Sequence, residues 1–185
     1  MEDPLIGIFG GTFDPIHFGH INLALEIKER CDLSQIWFVP TNVSPFRKGQ
    51  TQTPAEQRLE MVKLAIADIK NFCCLDVEVK RAPPSYTIET IELLEKEHPN
   101  KKFALILSDD VYAHFAVWKD AKKIREKVKL LIGRRNWSKD TIPTSIMEIS
   151  GTKIRNRIQK RLYCDHLVPP KVLDYIYQNQ LYFTP

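Results

Sequence analysis

Two histidines placed just behind a pair of glycines are the residues of this chain best suited to chemistry on a phosphate. Gly10 and Gly11 end a short apolar run, and His17 and His20 follow where a helical pattern begins. Glycines at a strand end let the backbone approach a phosphate, and the N-terminus of a following helix supplies unpaired N–H groups and a positive dipole. Because His17 and His20 are three residues apart, we expect both on the first helical turn, pointing to one side at the carboxyl edge of a sheet. The glycine spacing is not the G-x-G-x-x-G dinucleotide fingerprint, so a different kind of nucleotide site is indicated.

Three interpretations of His17 and His20 compete. A zinc site needs about three protein ligands, and no further His or Cys lies near them in the sequence. Two core histidines, hydrogen-bonded to their neighbours, are a purely structural alternative. In the third interpretation, the pair donates hydrogen bonds to a phosphoryl group on which charge develops during transfer. Only the third uses every residue of the glycine and histidine segment, and it predicts no metal held by the protein.

The elements that must position these residues alternate along the chain. Short apolar runs rich in β-branched and aromatic residues predict six strands, at 5–9, 36–39, 75–79, 103–107, 129–132 and 146–149. Helical periodicity lies between them, at 21–30, 55–69, 88–97, 121–127 and 154–162. This alternation predicts an α/β fold, with a Rossmann-like, doubly wound and mostly parallel sheet covered by helices on both faces.

Two helix starts carry their own signals. The sequence Thr53-Pro54-Ala55-Glu56 predicts Thr53 as the cap, proline at the first helical position and a capping-box glutamate. Val168-Pro169-Pro170 is expected to open a last helix toward Gln180. No repeat, Gly/Ser linker or break in composition divides the chain, so we assign residues 1–185 to one domain.

Composition excludes several classes of protein. Apolar residues make up 43% and charged residues 27% of the 185 positions, which is typical of a globular domain and not of a disordered or fibrous chain. No apolar run approaches the roughly 20 residues of a membrane span, and the start of the chain lacks the basic region of a secretory signal. The four cysteines form no C-x-x-C pair. We therefore expect a soluble cytoplasmic protein with reduced thiols and no membrane partner.

The positive charge is concentrated in one segment. The net charge is +4 overall, but residues 119–161 hold 14 Lys and Arg against 4 Asp and Glu. Such a stretch indicates an anionic partner, either a phosphorylated small molecule or a nucleic acid. A solvated helix face is the structural alternative, and we favour it for Lys119 to Lys129.

The segment from Gly10 to His20 resembles the signature of the nucleotidyltransferase superfamily in its nicotinate-nucleotide adenylyltransferase form, with the HxGH motif at His17 to His20. The resemblance extends over nearly the whole chain, through Pro40 to Lys48, Arg58 to Met61, Pro84 to Thr90, Ser108 to Asp110, Trp118, Ile149 to Arg155 and Val168 to Tyr182. Three positions depart from the family pattern. Arg47 replaces a His, Ser108 replaces a Gly, and Gly151 replaces the second Ser of an Ile-Ser-Ser-Thr motif.

The resemblance implies adenylyl transfer from ATP to nicotinate mononucleotide, with pyrophosphate released, in NAD biosynthesis. It implies His17, His20 and Arg155 as catalytic residues. ATP and its phosphates would be bound by Gly10, Gly11, Thr12, Phe13, Lys48, Ser150, Thr152 and Arg155. Nicotinate mononucleotide would be bound by Tyr86, Thr87, Asp110 and Trp118. Mg²⁺ would arrive with ATP, held chiefly by phosphates and water.

Five of these residues also have a structural alternative. Ser150 could act simply as a helix cap, Arg155 could form a surface ion pair, and Lys48 could be solvated. Trp118 could pack on Phe115, three residues earlier, and Asp110 could cap the segment that leads to it.

Other functions also stay open at this point. Within the enzymes, the acceptor could be nicotinamide mononucleotide or another phosphorylated molecule such as phosphopantetheine. Outside them, the basic segment could make the chain a nucleic-acid-binding module, although that leaves the glycine and histidine segment unexplained.

Overall fold

A single six-stranded sheet organises the parts of the chain that the structure describes. This structure is a computed structural model, and it describes residues 4–47, 53–134, 141–145 and 147–183. The strands are β1 (Leu5–Gly11), β2 (Gln35–Pro40), β3 (Phe72–Cys74), β4 (Lys102–Ser108), β5 (Lys129–Arg134) and β6 (Ile142–Pro143). All neighbouring strands are parallel, in the order β3-β2-β1-β4-β5-β6. The predicted doubly wound α/β fold is confirmed, whereas the assignment of residues 1–185 to one domain stays a prediction.

Helices cover both faces of this sheet. They are α1 (Phe18–Arg30), α2 (Ala55–Ile66), α3 (Thr87–Glu97), α4 (Asp109–Tyr112), α5 (Ala121–Lys127), α6 (Gly151–Gln159) and α7 (Pro170–Gln178), with short 3-10 turns at Pro45–Arg47 and Phe115–Val117. One core cluster packs the sheet against α1, α2, α6 and α7, and a second packs it against α3 and α5. Strands buried on both faces need apolar residues at nearly every position, which is why β1, β2 and β4 read as continuous apolar runs. No helix in the described ranges is long and apolar enough to cross a membrane.

The strand order places the site. β1 lies between β2 and β4, and the chain runs outward from β1 through β2 to β3 on one side, then crosses to β4 and runs outward through β5 to β6 on the other. In such sheets the loops at the carboxyl ends of the strands separate at this point and form a crevice. The loop from Gly10 to His20 therefore opens into the crevice directly from the central strand.

Two strand predictions were wrong. The chain pairs at Phe72–Cys74 and then turns, although a strand was expected at 75–79. Leu75 N still donates to Phe38 O of β2 at 2.9 Å beyond the end of β3. Leu75 and Val77 pack against the second core cluster from this segment, which accounts for their apolar character. The expected strand at 146–149 is replaced by Ile142–Pro143.

Side chains of α1 hold the segment that follows β6. Asn22 Nδ2 donates to Ser145 O, and Ser145 N donates to Glu26 Oε1. These bonds take the place of a strand ladder beyond β6. Ile146 lies outside the described residues, and 147–150 form no regular element.

Several helix boundaries also differ. α2 ends at Ile66 and not at Ile69, and α6 runs from Gly151 to Gln159 and not from 154 to 162. The predicted Thr53 cap was wrong by one residue, because Pro54 is the N-cap and the carbonyl of Thr53 accepts a hydrogen bond from Arg58 Nε instead. The last helix begins at Pro170, as its proline signal predicted.

Candidate active site

A cleft of about 1180 Å³ opens along the carboxyl edge of the sheet. Its walls come from the loops after β1, β2, β4 and β6 and from the starts of α1, α3 and α6. A cleft of this size is ample for a nucleotide and a second small molecule side by side. Of the residues predicted to bind substrates, all but Lys48 line it, and Lys48 lies outside the described residues.

The two histidines meet at one point of this cleft. His17 is the N-cap of α1 and His20 lies in its first turn. Their rings stack with centroids 3.7 Å apart and planes inclined by 23°. The backbone N–H of His17 donates to Nδ1 of His20 at 3.3 Å. Since Nδ1 accepts this bond, the proton of the neutral His20 ring lies on Nε2, which is left as a hydrogen-bond donor.

Burial keeps both rings neutral. It lowers the pKa of His17 to about 4. The pKa of His20 lies well below its usual range because of burial and, to a smaller extent, the charge of His17. At neutral pH the pair therefore offers uncharged N–H donors. Nδ1 of His17 is buried and has no hydrogen-bond partner among the described residues, and the same residues include no group of three His, Cys, Asp or Glu that could hold a metal ion.

Phe13 supports the glycine loop from beneath. Its backbone is left-handed, with φ of 49°, and its side chain is 2% exposed. The ring packs edge-on against His20 with centroids 5.1 Å apart, and against Phe9 at 5.5 Å. The Phe13 side chain therefore packs beneath the glycine loop, and only its main chain remains for the predicted phosphate contact.

Asp14 joins the glycine loop to the start of α6. Its carbonyl oxygen accepts a hydrogen bond from Arg155 Nη1 at 2.6 Å, and Arg155 Nη2 donates to Thr152 Oγ1 at 3.2 Å. Tyr182 Oη donates to Asp14 Oδ1 at 2.6 Å, which ties the C-terminal segment to the same loop. A Cβ at Gly151 would lie 2.6 Å from the Asp14 carbonyl oxygen. The family's serine would therefore displace the backbone here, and this contact explains why glycine stands at position 151.

Ser150 is the N-cap of α6, the structural alternative that the sequence offered for this residue. Its Oγ accepts a hydrogen bond from Lys153 N at 3.2 Å. Ser150 and Thr152 also line the cleft, so the cap and the positive end of the helix dipole face the same space as Arg155.

The residues predicted for the second substrate line another part of the cleft. Tyr86 is the N-cap of α3 and Thr87 its first residue, while Trp118 follows the 3-10 turn at Phe115–Val117. The Trp118 ring packs on the buried Phe115 ring at 5.3 Å, so it lines the cleft and packs on the core at the same time. Asp110 lies in the first turn of α4, whose N-cap is Ser108, and it does not act as that cap.

Arg58 is the residue that sequence analysis missed. Its side chain is 1% exposed. It donates to three backbone carbonyls, with Nη1 to Thr12 O at 2.7 Å, Nη2 to Asn42 O at 2.7 Å and Nε to Thr53 O at 2.8 Å. It thereby ties the loops after β1 and β2 together. The signal was present in the helical spacing, because Met61 and Val62 put Arg58 on the buried face of α2.

We expect Arg58→Met to lower the free energy of unfolding by about 3 kcal/mol or more, because buried carbonyls lose their charged donor. Urea denaturation followed by circular dichroism measures the change. Lys63→Met is the matched control, since Lys63 lies on the exposed face of the same helix in a weak ion pair with Glu60 at 3.7 Å. Equal stability of Arg58→Met and the control would show that the three carbonyl bonds contribute nothing.

Comparison with known proteins adds findings of three kinds, from a family model, from curated relatives and from a solved structure. The family model described as cytidylyltransferase-like matches residues 8–157. A probable nicotinate-nucleotide adenylyltransferase of Bacillus licheniformis is 34% identical over 186 residues, covering 97% of this chain and 98% of its own length. The nicotinate-nucleotide adenylyltransferase of Bacillus subtilis is 34% identical over 184 residues, covering 96% and 97%. Among solved structures, a Plasmodium falciparum nicotinic acid mononucleotide adenylyltransferase complexed with NaAD superposes with a TM-score of 0.81 at 22% identity, covering 97% of both chains, and this likeness concerns the fold.

Proposed function

This chain belongs to the cytidylyltransferase-like family and, within it, to the nicotinate-nucleotide adenylyltransferases, and on that premise we propose how its cleft performs the reaction. The enzyme transfers the adenylyl group of ATP to nicotinate mononucleotide, forming nicotinate adenine dinucleotide and pyrophosphate. A phosphate oxygen of the mononucleotide attacks the α-phosphorus of ATP, and the bond from that phosphorus to pyrophosphate breaks. The stacked pair of neutral histidines beside the glycine loop is the observation that carries this mechanism.

The attacking phosphate monoester is largely ionised at neutral pH, so no general base is needed. The difficulty is to align two anions that repel each other. Neutral His17 and His20 each donate an N–H hydrogen bond to the α-phosphate. Arg155, with the hydroxyls of Ser150 and Thr152 and the start of α6, binds the departing pyrophosphate.

Mg²⁺ enters as part of the ATP substrate. We propose that this ion is held by phosphate oxygens and water. Bound in this way, it would neutralise phosphate charge.

We favour a phosphorylated small molecule over a nucleic acid as the anionic partner. Lysines of the basic segment pair with glutamates of α3, at 2.8 Å for Lys119 and Glu89, 2.5 Å for Lys123 and Glu92, and 2.6 Å for Lys127 and Glu95. The charges of these three lysines are therefore paired within the protein, which makes them less available to a nucleic-acid backbone. We propose small-molecule substrates as its partners and a cytosolic location, with four free cysteines fitting a reducing compartment.

Pyrophosphate release from ATP with a panel of phosphorylated acceptors tests this function. We expect nicotinate mononucleotide to give a higher kcat/KM than nicotinamide mononucleotide or phosphopantetheine.

Trp118→Ala should raise KM for both mononucleotides by about tenfold, because stacking senses only the ring. Thr87→Ala should lower the ratio of nicotinate to nicotinamide kcat/KM, since a donor to the carboxylate is lost. Equal values for both mononucleotides on the wild type would refute the nicotinate assignment, and a ratio changed equally by Trp118→Ala would refute the division of roles.

A further inference from the structure

The C-terminal segment folds back onto the glycine loop. After α7 the backbone of Gln180 is left-handed, with φ of 53°, and Leu181 N donates to Ile176 O at 3.0 Å. This bond closes the end of the helix in the manner of a Schellman motif and turns the chain back toward the sheet. Leu181, Tyr182 and Phe183 then pack, partly buried, against the first core cluster. The turn after α7 thus brings Tyr182 next to the site.

Tyr182 is held there by its hydroxyl group. Its backbone is left-handed, with φ of 69°, a conformation that is unfavourable for a bulky residue and persists where tertiary contacts impose it. Tyr182 Oη donates to Asp14 Oδ1 at 2.6 Å, and the Thr53 hydroxyl donates to the same Oη. Burial raises the pKa of Tyr182, and the charge of Asp14 and the hydrogen bond to it raise that pKa further, while the Thr53 bond and the Arg155 charge lower it in part. The hydroxyl therefore keeps its proton and acts as a donor to Asp14 at neutral pH.

Asp14 receives hydrogen bonds on both its side chain and its main chain. It is 7% exposed and stands in the wall of the cleft. Its carboxylate accepts from Tyr182, and its carbonyl oxygen accepts from Arg155 Nη1 at 2.6 Å. The same carbonyl lies against Gly151, where a Cβ would come within 2.6 Å of it. A small movement of Asp14 would therefore displace the Arg155 guanidinium as well.

The hydroxyl of Tyr182 acts on the site through this residue, since Tyr182 itself does not line the cleft. A buried carboxylate that loses a donor is destabilised and turns toward other partners, and Asp14 would carry its carbonyl with it. Resting on the proposed function, we propose that Tyr182 is a positioning residue for Arg155. Its hydroxyl fixes Asp14, and the Asp14 carbonyl then holds the guanidinium at the departing pyrophosphate. Misplacement of a binding group by about 1 Å can lower a rate by about 10², so a hydroxyl outside the cleft affects turnover.

Tyr182→Phe removes the hydroxyl and keeps the ring in the core. We expect kcat/KM for ATP to fall about tenfold, because the guanidinium is less well oriented. The calorimetric Kd for nicotinate mononucleotide should stay at the wild-type value, since Tyr86 and Trp118 lie on other elements. Circular dichroism and urea denaturation establish that the variant is folded. A hydroxyl with a merely structural role would lower the denaturation midpoint and leave kcat/KM for ATP unchanged, and that result would overturn the proposal.

Two control variants separate Asp14 from the other surroundings of Tyr182. Tyr177→Phe also loses a phenolic hydroxyl, but Tyr177 lies on α7, is 42% exposed and packs its ring on Phe183 at 5.8 Å, so kcat/KM should stay at the wild-type value. Thr53→Val removes the second partner of Tyr182 Oη and should change kcat/KM for ATP by about twofold or less. A tenfold loss in Thr53→Val would assign the effect to the segment before α2 and contradict the route through Asp14.

A double variant with Arg155→Ala decides whether Tyr182 acts through Arg155. Once the guanidinium is absent, the Asp14 carbonyl has nothing to orient, so Tyr182→Phe should change kcat/KM for ATP by about twofold or less in that background. A tenfold loss in both backgrounds would show that the two residues act independently and would overturn the proposal. Absence of pyrophosphate release by the wild type with any acceptor would refute the proposed function, whereas release with independent effects would refute only the role of Tyr182.

Discussion

His17→Ala and His20→Ala are each expected to lower kcat by about 10² to 10³, with much smaller changes in KM. The reason is that an N–H donor aimed at the α-phosphate forms a stronger bond as charge builds there in the transition state. Both rings are held neutral by burial, and the His17 backbone N–H fixes the orientation of the His20 ring. Steady-state measurement of pyrophosphate release, with ATP and nicotinate mononucleotide each varied, separates kcat from KM.

His166→Ala is the matched control for this pair. His166 is exposed and its ring stacks on that of Tyr163, with centroids 5.6 Å apart, so kcat should stay near the wild-type value. Circular dichroism and denaturation midpoints establish that the site variants are folded. Near-normal kcat in folded His17→Ala and His20→Ala would end the assignment of the pair to the transferring phosphate.

Arg155→Ala should lower kcat/KM for ATP by about 10² or more, because an oriented guanidinium on the phosphates is lost. Its hydrogen bonds to Asp14 O and Thr152 Oγ1 hold the guanidinium between the glycine loop and α6. Arg155→Lys should restore only part of the activity, since an ammonium group lacks the planar fork that can hold protein and phosphate oxygens together. Initial rates at varied ATP, with calorimetric Kd for ATP, measure both variants.

Arg157→Ala is the control on the same helix. Arg157 lies two residues further along α6 and donates from Nε and Nη2 to the carbonyl of Tyr163, so its loss should leave ATP affinity and turnover nearly unchanged. If Arg155→Ala also retains both, Arg155 serves only to join the glycine loop to α6.

Sequence alone determined the fold class and most of its helices because these depend on local patterns. A 3.6-residue apolar period and continuous apolar runs are properties of neighbouring residues. They located α1, α3, α5 and α7 and the four central strands within a few residues. The placement of His17 and His20 was also predictable, since a spacing of three residues at a helix start brings two side chains together in any such fold.

The tertiary structure decided everything that joins distant parts of the chain. Among the described residues, the edge strands β3 and β6 pair at only three and two positions, so the apolar runs at 75–79 and 146–149 did not locate them. The segment after β6 is held by the Asn22 side chain of α1, which no local pattern could indicate. Sequence gives no distance between Gly151 and Asp14, yet the close approach of these two residues excludes a side chain at position 151. The helical spacing places Arg58 on the buried face of α2, but it does not show what the guanidinium binds. Its bonds to the carbonyls of Thr12 and Asn42 form only when the loops after β1 and β2 meet at the carboxyl edge of the sheet, because the free energy of a buried polar group depends on partners that the chain brings together by folding.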